Sequence, residues 1–175
     1  ANLPWTVLLC WLGLPMFLLG AWWWFAEMKL SLWMQVLLVC WLAVSPVIAQ
    51  WSFMLMSELY FGALLFAVLV AAERAAKTPH SAKWAIVAGL LAAAATLVRS
   101  AGLPLIATVP FCLGLRRQWK NAALFVVAMI PAIALWEGWK LSHLPDATDP
   151  TTLYYRSYLG FHLSNLSWES LPRFL

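Results

Sequence analysis

The chain has 175 residues, of which 64% are hydrophobic and only 10% are charged. Soluble domains average about 45–50% apolar and about 25% charged residues, so this composition excludes an ordinary soluble domain and predicts an integral membrane protein. The net charge of +4 does not indicate nucleic-acid binding, because the basic residues form short clusters between apolar runs rather than one continuous face.

Successive apolar runs predict an all-α, polytopic bundle with about six transmembrane helices, since one crossing takes about 20 apolar residues. The first run ends in three tryptophans at 22–24, which is typical of a membrane interface. Polar turns at 27–29 and 50–52 bound the second run, and the loop 73–83 follows the third. The predicted helices cover residues 3–25, 30–49, 53–72, 84–99, 101–115 and 121–141, and residues 142–175 are expected to start an extracytoplasmic loop.

The apolar stretch 84–115 is too long for one comfortable span and short for two, and charge decides between them. If it turns at 99–102, the basic loops all fall on one side, which the positive-inside rule makes cytoplasmic. Two such short helices would leave their turn recessed below the outer surface, so we expect a cavity there. The basic residues on the cytoplasmic side are then Lys29, Arg74, Lys77, Lys83, Arg116, Arg117 and Lys120.

Glu58 and Arg99 are charges within long apolar runs, where each costs roughly 2.5–3.5 kcal/mol on insertion scales and is a functional candidate by default. In the functional interpretation, Glu58 orients a substrate hydroxyl, a cation or a positive group, and Arg99 offers a forked donor to a phosphate. The alternatives are a structurally idle carboxylate at the interface and an arginine that snorkels to lipid phosphate without specificity.

Further candidate substrate-binding residues are Ser57, beside Glu58, and Tyr154, Tyr155 and Arg156 in the expected outer loop. Aromatic and basic residues there suit a sugar or a lipid headgroup, although any interfacial loop contains them. The sequence carries no Gly-rich phosphate loop and no metal-ligand spacing. A divalent metal at Glu58 stays an open alternative.

Two segments suggest a family: SPVIAQWSFMLMSELYFGALLFAVLVAAERA and AGLLAAAATLVRSAGLPLIATVPFCLGLRRQWK. Their shared elements are Pro46 ending a helix, Ser57-Glu58 at the outer start of the next, the basic loop 73–83, and the Arg-x-x-Gly-Leu at 99–103. This pattern resembles the C-type membrane glycosyltransferases that use lipid-linked sugars, a group that includes protein O-mannosyltransferases and aminoarabinose transferases. The resemblance covers most of the chain up to about Leu141.

The resemblance implies an enzyme of the bacterial inner membrane with an extracytoplasmic active face. It implies a polyprenyl-phosphate sugar donor, a lipid, glycan or protein acceptor, and inversion at the anomeric carbon. The family's catalytic acidic residue lies in its first outer loop, upstream of this chain, so we expect a fragment of a larger protein. On this mapping Glu58 and Arg99 line the cavity and the catalytic residue is unknown.

Two other functions stay open on the residues. The first is a transporter or flippase for a lipid-linked or anionic substrate, in which Glu58 and Arg99 would form a gated ion pair. A transporter needs access from both faces of the membrane, whereas a transferase needs only the outer face. The second is an assembly subunit without chemistry of its own. Besides the donor and acceptor, the expected partners are membrane lipids and no nucleic acid.

Overall fold

The structure is a computed structural model that describes residues 3–53, 57–77 and 82–143. Over these residues the chain is all-helical and contains no strand. It divides into two compact units, Ala1–Ile133 and Ala134–Leu175. The described helices are α1 (Leu3–Glu27), α2 (Leu32–Ala43), α3 (Pro46–Phe53), α4 (Glu58–Lys77), α5 (Ala82–Val98), α6 (Leu103–Leu115) and α7 (Trp119–His143). A short 3-10 turn, Ser100–Gly102, lies between α5 and α6.

Helix α4 lies at the centre of the first unit, with α1 on one side and α5 on the other. Small residues allow α1 and α4 to approach closely, as is common between membrane helices. Gly20 packs against the backbone of Ala63, and a Cβ at Gly62 would lie 2.6 Å from the ring of Phe17. The aromatic ring therefore fills the space that the glycine leaves, and α1 and α4 are fixed in register.

Alanines form most of the contact between α4 and α5. Gly89 continues this small-residue surface towards α7, because a Cβ there would lie 2.4 Å from the carbonyl oxygen of Phe125. Phe125 is itself fully buried. The close approach of the three helices thus depends on side chains no larger than a methyl group. In this part of the core, the buried alanines of α4 and α5 are Ala71, Ala75, Ala85, Ala88, Ala92, Ala93 and Ala95.

The predicted single helix over 30–49 is wrong, because the structure divides it. Helix α2 ends at Ala43, and α3 begins at Pro46 after a break at Val44 and Ser45. A residue that precedes proline is disfavoured in the α region, whereas proline itself is well placed in the first turn of a helix. With 12 residues, α2 extends about 18 Å, well short of the roughly 30 Å hydrocarbon core.

The other boundaries differ less. Helix α4 begins at Glu58 rather than at residue 53 and continues to Lys77, so part of the predicted loop 73–83 is helical. Residues 50–52, predicted as an interfacial turn, lie within α3. The predicted helices 3–25, 84–99, 101–115 and 121–141 correspond to α1, α5, α6 and α7, respectively.

Two of the described helices, α4 and α7, are long and apolar enough to cross a membrane. Helices α2 and α5 and the segment Ser100–Leu115 are apolar but shorter than a full span. Length and composition therefore support two membrane spans over the described part of the chain, not the predicted six.

The described part of the second unit, 134–143, is the final portion of α7. The ring of Trp139 stacks on Trp136 at 5.2 Å between centroids and on His143 at 5.0 Å. Glu137 and Lys140 form an ion pair of 2.7 Å one turn apart. The predicted extracytoplasmic loop 142–175 lies outside the described residues apart from Ser142 and His143, which are helical.

Candidate substrate-binding site

The charged residues of the first unit collect at its two ends. At one end, which we call the basic end, the last turns of α1, α4 and α6 meet the first turns of α5 and α7. At the other, which we call the Glu58 end, α4 begins and α5 finishes. The basic end carries Lys29, Arg74, Lys77, Lys83, Arg116, Arg117 and Lys120, and the Glu58 end carries Ser57, Glu58 and Arg99.

Glu58 and Arg99 form a direct ion pair, in which Nη1 of Arg99 donates to Oε1 of Glu58. They are 41 residues apart in sequence. Helices α4 and α5, of 20 and 17 residues, run antiparallel and have similar lengths. Residues at equal distances from the connection between them therefore lie at the same level, and the start of α4 meets the end of α5.

The backbone around Arg99 is held in a compact turn. Arg99 is extended, with φ −156° and ψ 136°, its N–H donates to the carbonyl of Ala95 at 3.0 Å, and its own carbonyl accepts from Gly102 at 2.9 Å. A Cβ at Gly102 would lie 2.7 Å from the backbone nitrogen of Thr96. The turn thus needs glycine at residue 102 to fold back against the end of α5.

The ion pair remains partly open to its surroundings. The side chain of Glu58 is 20% exposed and that of Arg99 is 41% exposed. An arginine has five N–H donors, and contacts with the described residues occupy one of them. Arg99 therefore retains donors for a second anionic partner, while Glu58 fixes the position of its guanidinium.

Of the remaining predicted site residues, the structure describes Ser57. Ser57 directly precedes α4, and its carbonyl accepts a hydrogen bond of 2.8 Å from the N–H of Phe61. Tyr154, Tyr155 and Arg156 lie outside the described residues. Within the described ranges, no group of three histidine, cysteine, aspartate or glutamate side chains is close enough to hold a metal ion. A metal held partly by Glu58 stays a prediction.

The basic end contains a charge network that the sequence analysis missed. Arg74 donates to Glu27 at 2.9 Å, and its guanidinium lies 5.1 Å from the ring centre of Trp23 and 4.8 Å from that of Trp84. A cation over two indole rings is a favourable contact. The sequence signal was present in the tryptophans beside Glu27, but Glu27 and Arg74 were assigned to separate loops, 27–29 and 73–83.

Further ion pairs extend this network from Glu27 to α6. Lys77 lies 3.6 Å from Glu27 and 3.4 Å from Glu73, and Glu73 in turn pairs with Arg116 at 2.8 Å. We call the residues of this chain of contacts the Glu27 network. It joins α1, α4, α5 and α6 through Glu27, Arg74, Lys77, Glu73, Arg116, Trp23 and Trp84.

A cavity of about 320 Å³ lies between α4 and α6, with Trp24 of α1 at its wall. We call it the α4–α6 groove. It extends from Leu105 and Leu69 to the ion pair of Glu73 and Arg116. Its polar end is therefore at the basic end, whereas the sequence analysis placed a cavity at the turn 99–102.

Comparisons of the chain with protein families, with curated proteins and with solved structures find no match.

Proposed function

We propose that this chain belongs to a membrane enzyme that transfers a sugar from a polyprenyl-phosphate donor to an acceptor on the non-cytosolic face. The observation that carries the proposal is the ion pair of Glu58 and Arg99, which puts a positioned guanidinium at the end of the bundle opposite the basic end. The donor's phosphate is an anion that such a guanidinium suits.

Membrane placement is supported by the surface of the helices as well as by the two spans. Three tryptophans are largely exposed, Trp11 of α1 at 75% and Trp33 and Trp41 of α2 at 80% and 75%. Large exposed apolar surfaces mark contact with lipid or with other protein. The concentration of lysine and arginine at the basic end favours a cytosolic position for that end. The Glu58 end then faces outward.

The chemistry proposed for Arg99 concerns the leaving group. As the sugar–phosphate bond breaks, negative charge develops on the departing polyprenyl phosphate, and a forked N–H donor stabilises it. Glu58 compensates the charge of Arg99 before the donor binds, which lowers the cost of keeping an arginine in the apolar bundle. The proposal assigns no residue as the proton acceptor for the incoming hydroxyl.

The test is turnover of a polyprenyl-phosphate sugar by membranes that contain the complete protein. Arg99→Ala should lower the rate by about 10²–10³-fold, the range seen when a single oxyanion-stabilising donor is removed. Arg99→Lys should restore part of the rate, because it keeps the charge but not the fork. Protein amount in the membrane, measured by immunoblot, should be unchanged.

Lys83→Ala is a suitable control, because Lys83 is an exposed cation near the opposite end of the same helix. It should keep the wild-type rate. Wild-type turnover in Arg99→Ala, or an equal loss in both variants, would contradict the proposed role of Arg99.

Transport of a lipid-linked or anionic substrate is the second candidate, and the direct pairing of Glu58 with Arg99 favours it, since a gate needs a contact that can open. The two functions differ in access. The test uses a variant without the three native cysteines that carries Ser100→Cys. If the protein is a transferase, a membrane-impermeant thiol reagent should react with this cysteine from the outer side and not from the cytosolic side. Substrate-dependent reaction from both sides would favour transport.

A further inference from the structure

The α4–α6 groove has an apolar body and a single charged end. Leucine, valine and alanine side chains of α4 and α6 line most of its length, together with Trp24. The hydroxyl of Thr108, which also lines it, already donates to the carbonyl of Pro104 at 2.9 Å. The hydrogen of this hydroxyl is therefore already used, and the mostly apolar body of the groove suits a hydrocarbon chain.

The charged end of the groove is the ion pair of Arg116 and Glu73, and two further cations follow Arg116 in the sequence. Arg116 at the groove end is held by Glu73 at 2.8 Å. Arg117 and Lys120, which follow it, are exposed, and neither forms an ion pair with any of the described residues. Glu73 compensates the charge of Arg116 but not those of Arg117 and Lys120, so the net charge here is positive. A positive charge is complementary to a phosphate.

Arg117 is held in place by the way α6 ends. Its N–H donates to the carbonyl of Gly114 at 2.8 Å, and the N–H of Gln118 donates to that of Leu113 at 2.9 Å. These two bonds form a Schellman motif, whose left-handed position is usually glycine. Here Arg117 occupies it with φ 59°. The first turn of α7 is also tied to this site, since Asn121 donates to the carbonyl of Ala75 at 2.9 Å.

We propose that the α4–α6 groove binds an anionic phospholipid of the leaflet at the basic end, with one acyl chain between α4 and α6 and the phosphate on Arg117 and Lys120. Basic sites between membrane helices on the cytosolic side are suited to such headgroups. The proposal rests on the membrane placement argued above and is independent of sugar transfer at the Glu58 end.

The experiment is native mass spectrometry of the purified protein with phosphatidylglycerol and phosphatidylcholine added in equal amounts. The wild type should retain phosphatidylglycerol preferentially. Arg117→Gly should reduce this preference about fivefold, and adding Lys120→Gln should reduce it about fivefold again. Glycine suits the backbone of residue 117, so the helix end should be preserved. Thr108→Phe, which fills the groove, should reduce retention of both lipids.

Lys29→Gly is the matched control. Like Arg117, Lys29 lies at the basic end in a left-handed conformation, with φ 57°, but it follows α1 and not α6, which lines the groove. It should keep the lipid preference, and an equal loss in Lys29→Gly would overturn the site in favour of general surface attraction. Displacement of the lipid by millimolar inorganic phosphate would also overturn it.

Carbonate extraction separates failure of the lipid site from failure of the membrane placement. Protein that resists extraction but shows no preference for phosphatidylglycerol would overturn the lipid site alone. Protein released by carbonate would overturn the membrane placement, and the lipid site with it.

Discussion

The two ends of the first unit hold their charges in different ways. At the basic end, Arg74 lies between two indole rings and pairs with Glu27, and the Glu27 network continues through Lys77 and Glu73 to Arg116. At the Glu58 end, the described residues contribute one ion pair, between the start of α4 and the residue after α5. The contacts at the basic end join four helices, whereas the ion pair at the Glu58 end joins two.

This difference separates charges that stabilise the fold from charges that are available for binding. Arg74 donates to Glu27 of α1 and contacts rings of α1 and α5, whereas Arg99 has one described partner and is 41% exposed. A charge kept within an apolar bundle with so few structural contacts is a candidate for binding or catalysis. The contrast therefore predicts that substitutions at the basic end lower the stability of the protein, whereas substitutions at the Glu58 end lower its activity.

The largest stability difference should come from comparing the two arginines. Arg74→Ala removes an ion pair and two cation–π contacts and should lower the free energy of unfolding by about 2–3 kcal/mol. Arg99→Ala removes one partly exposed pair and should cost less than about 1 kcal/mol. Denaturant unfolding in detergent micelles measures both, and equal losses would remove the distinction between the ends.

A smaller difference is expected between two side-chain hydrogen bonds. Asn121 is buried and donates to Ala75 on another helix at 2.9 Å, so Asn121→Ala should cost about 1–2 kcal/mol. Thr96, near the Glu58 end, donates within its own helix, to Ala92 at 2.8 Å, and has no partner on another of the described helices. Thr96→Val should therefore cost less than about 0.5 kcal/mol. A loss at Thr96 as large as that at Asn121 would contradict the assignment of stability to the basic end.

The smallest effect concerns the end of α1, which closes like that of α6. Lys29 is left-handed, and Lys29→Gly and Lys29→Ala remove the same charge. The alanine variant should be less stable by about 1 kcal/mol, because its Cβ keeps the steric penalty of that conformation. Melting temperatures of the two variants give the comparison. Equal values would mean that the backbone at residue 29 relaxes.

Charge and proline positions were enough to predict the turn between α5 and α6. Distributing the loops so that lysine and arginine shared one side placed the turn at 99–102, and the structure has the short 3-10 turn there. The break before Pro46 was not predicted. Pro46 was treated as part of a continuing helix, although the residue before a proline is disfavoured in the α region. Hydropathy does not change at this break, so it could not predict the boundary between α2 and α3.

The side-chain partners were harder to predict than the helices. Pairing of Glu58 with Arg99 depends on α4 and α5 having similar lengths, and α4 was predicted to begin five residues too early, over 53–72 rather than Glu58–Lys77. Pairing of the two residues was predicted only for a transporter. The Glu27 network joins residues 47 positions apart, as in Arg74 and Glu27, and local patterns carry no information about such contacts.

The most direct test of the central claim is exchange of the two charges at the Glu58 end, in Glu58→Arg/Arg99→Glu. If the pair were only structural, the exchanged pair should keep both membrane insertion and turnover of the polyprenyl-phosphate sugar at the wild-type level. If Arg99 binds the donor phosphate, as proposed, insertion and thermal stability should match those of the wild type while turnover stays as low as in Arg99→Ala. Recovery of turnover by the exchange would contradict the account.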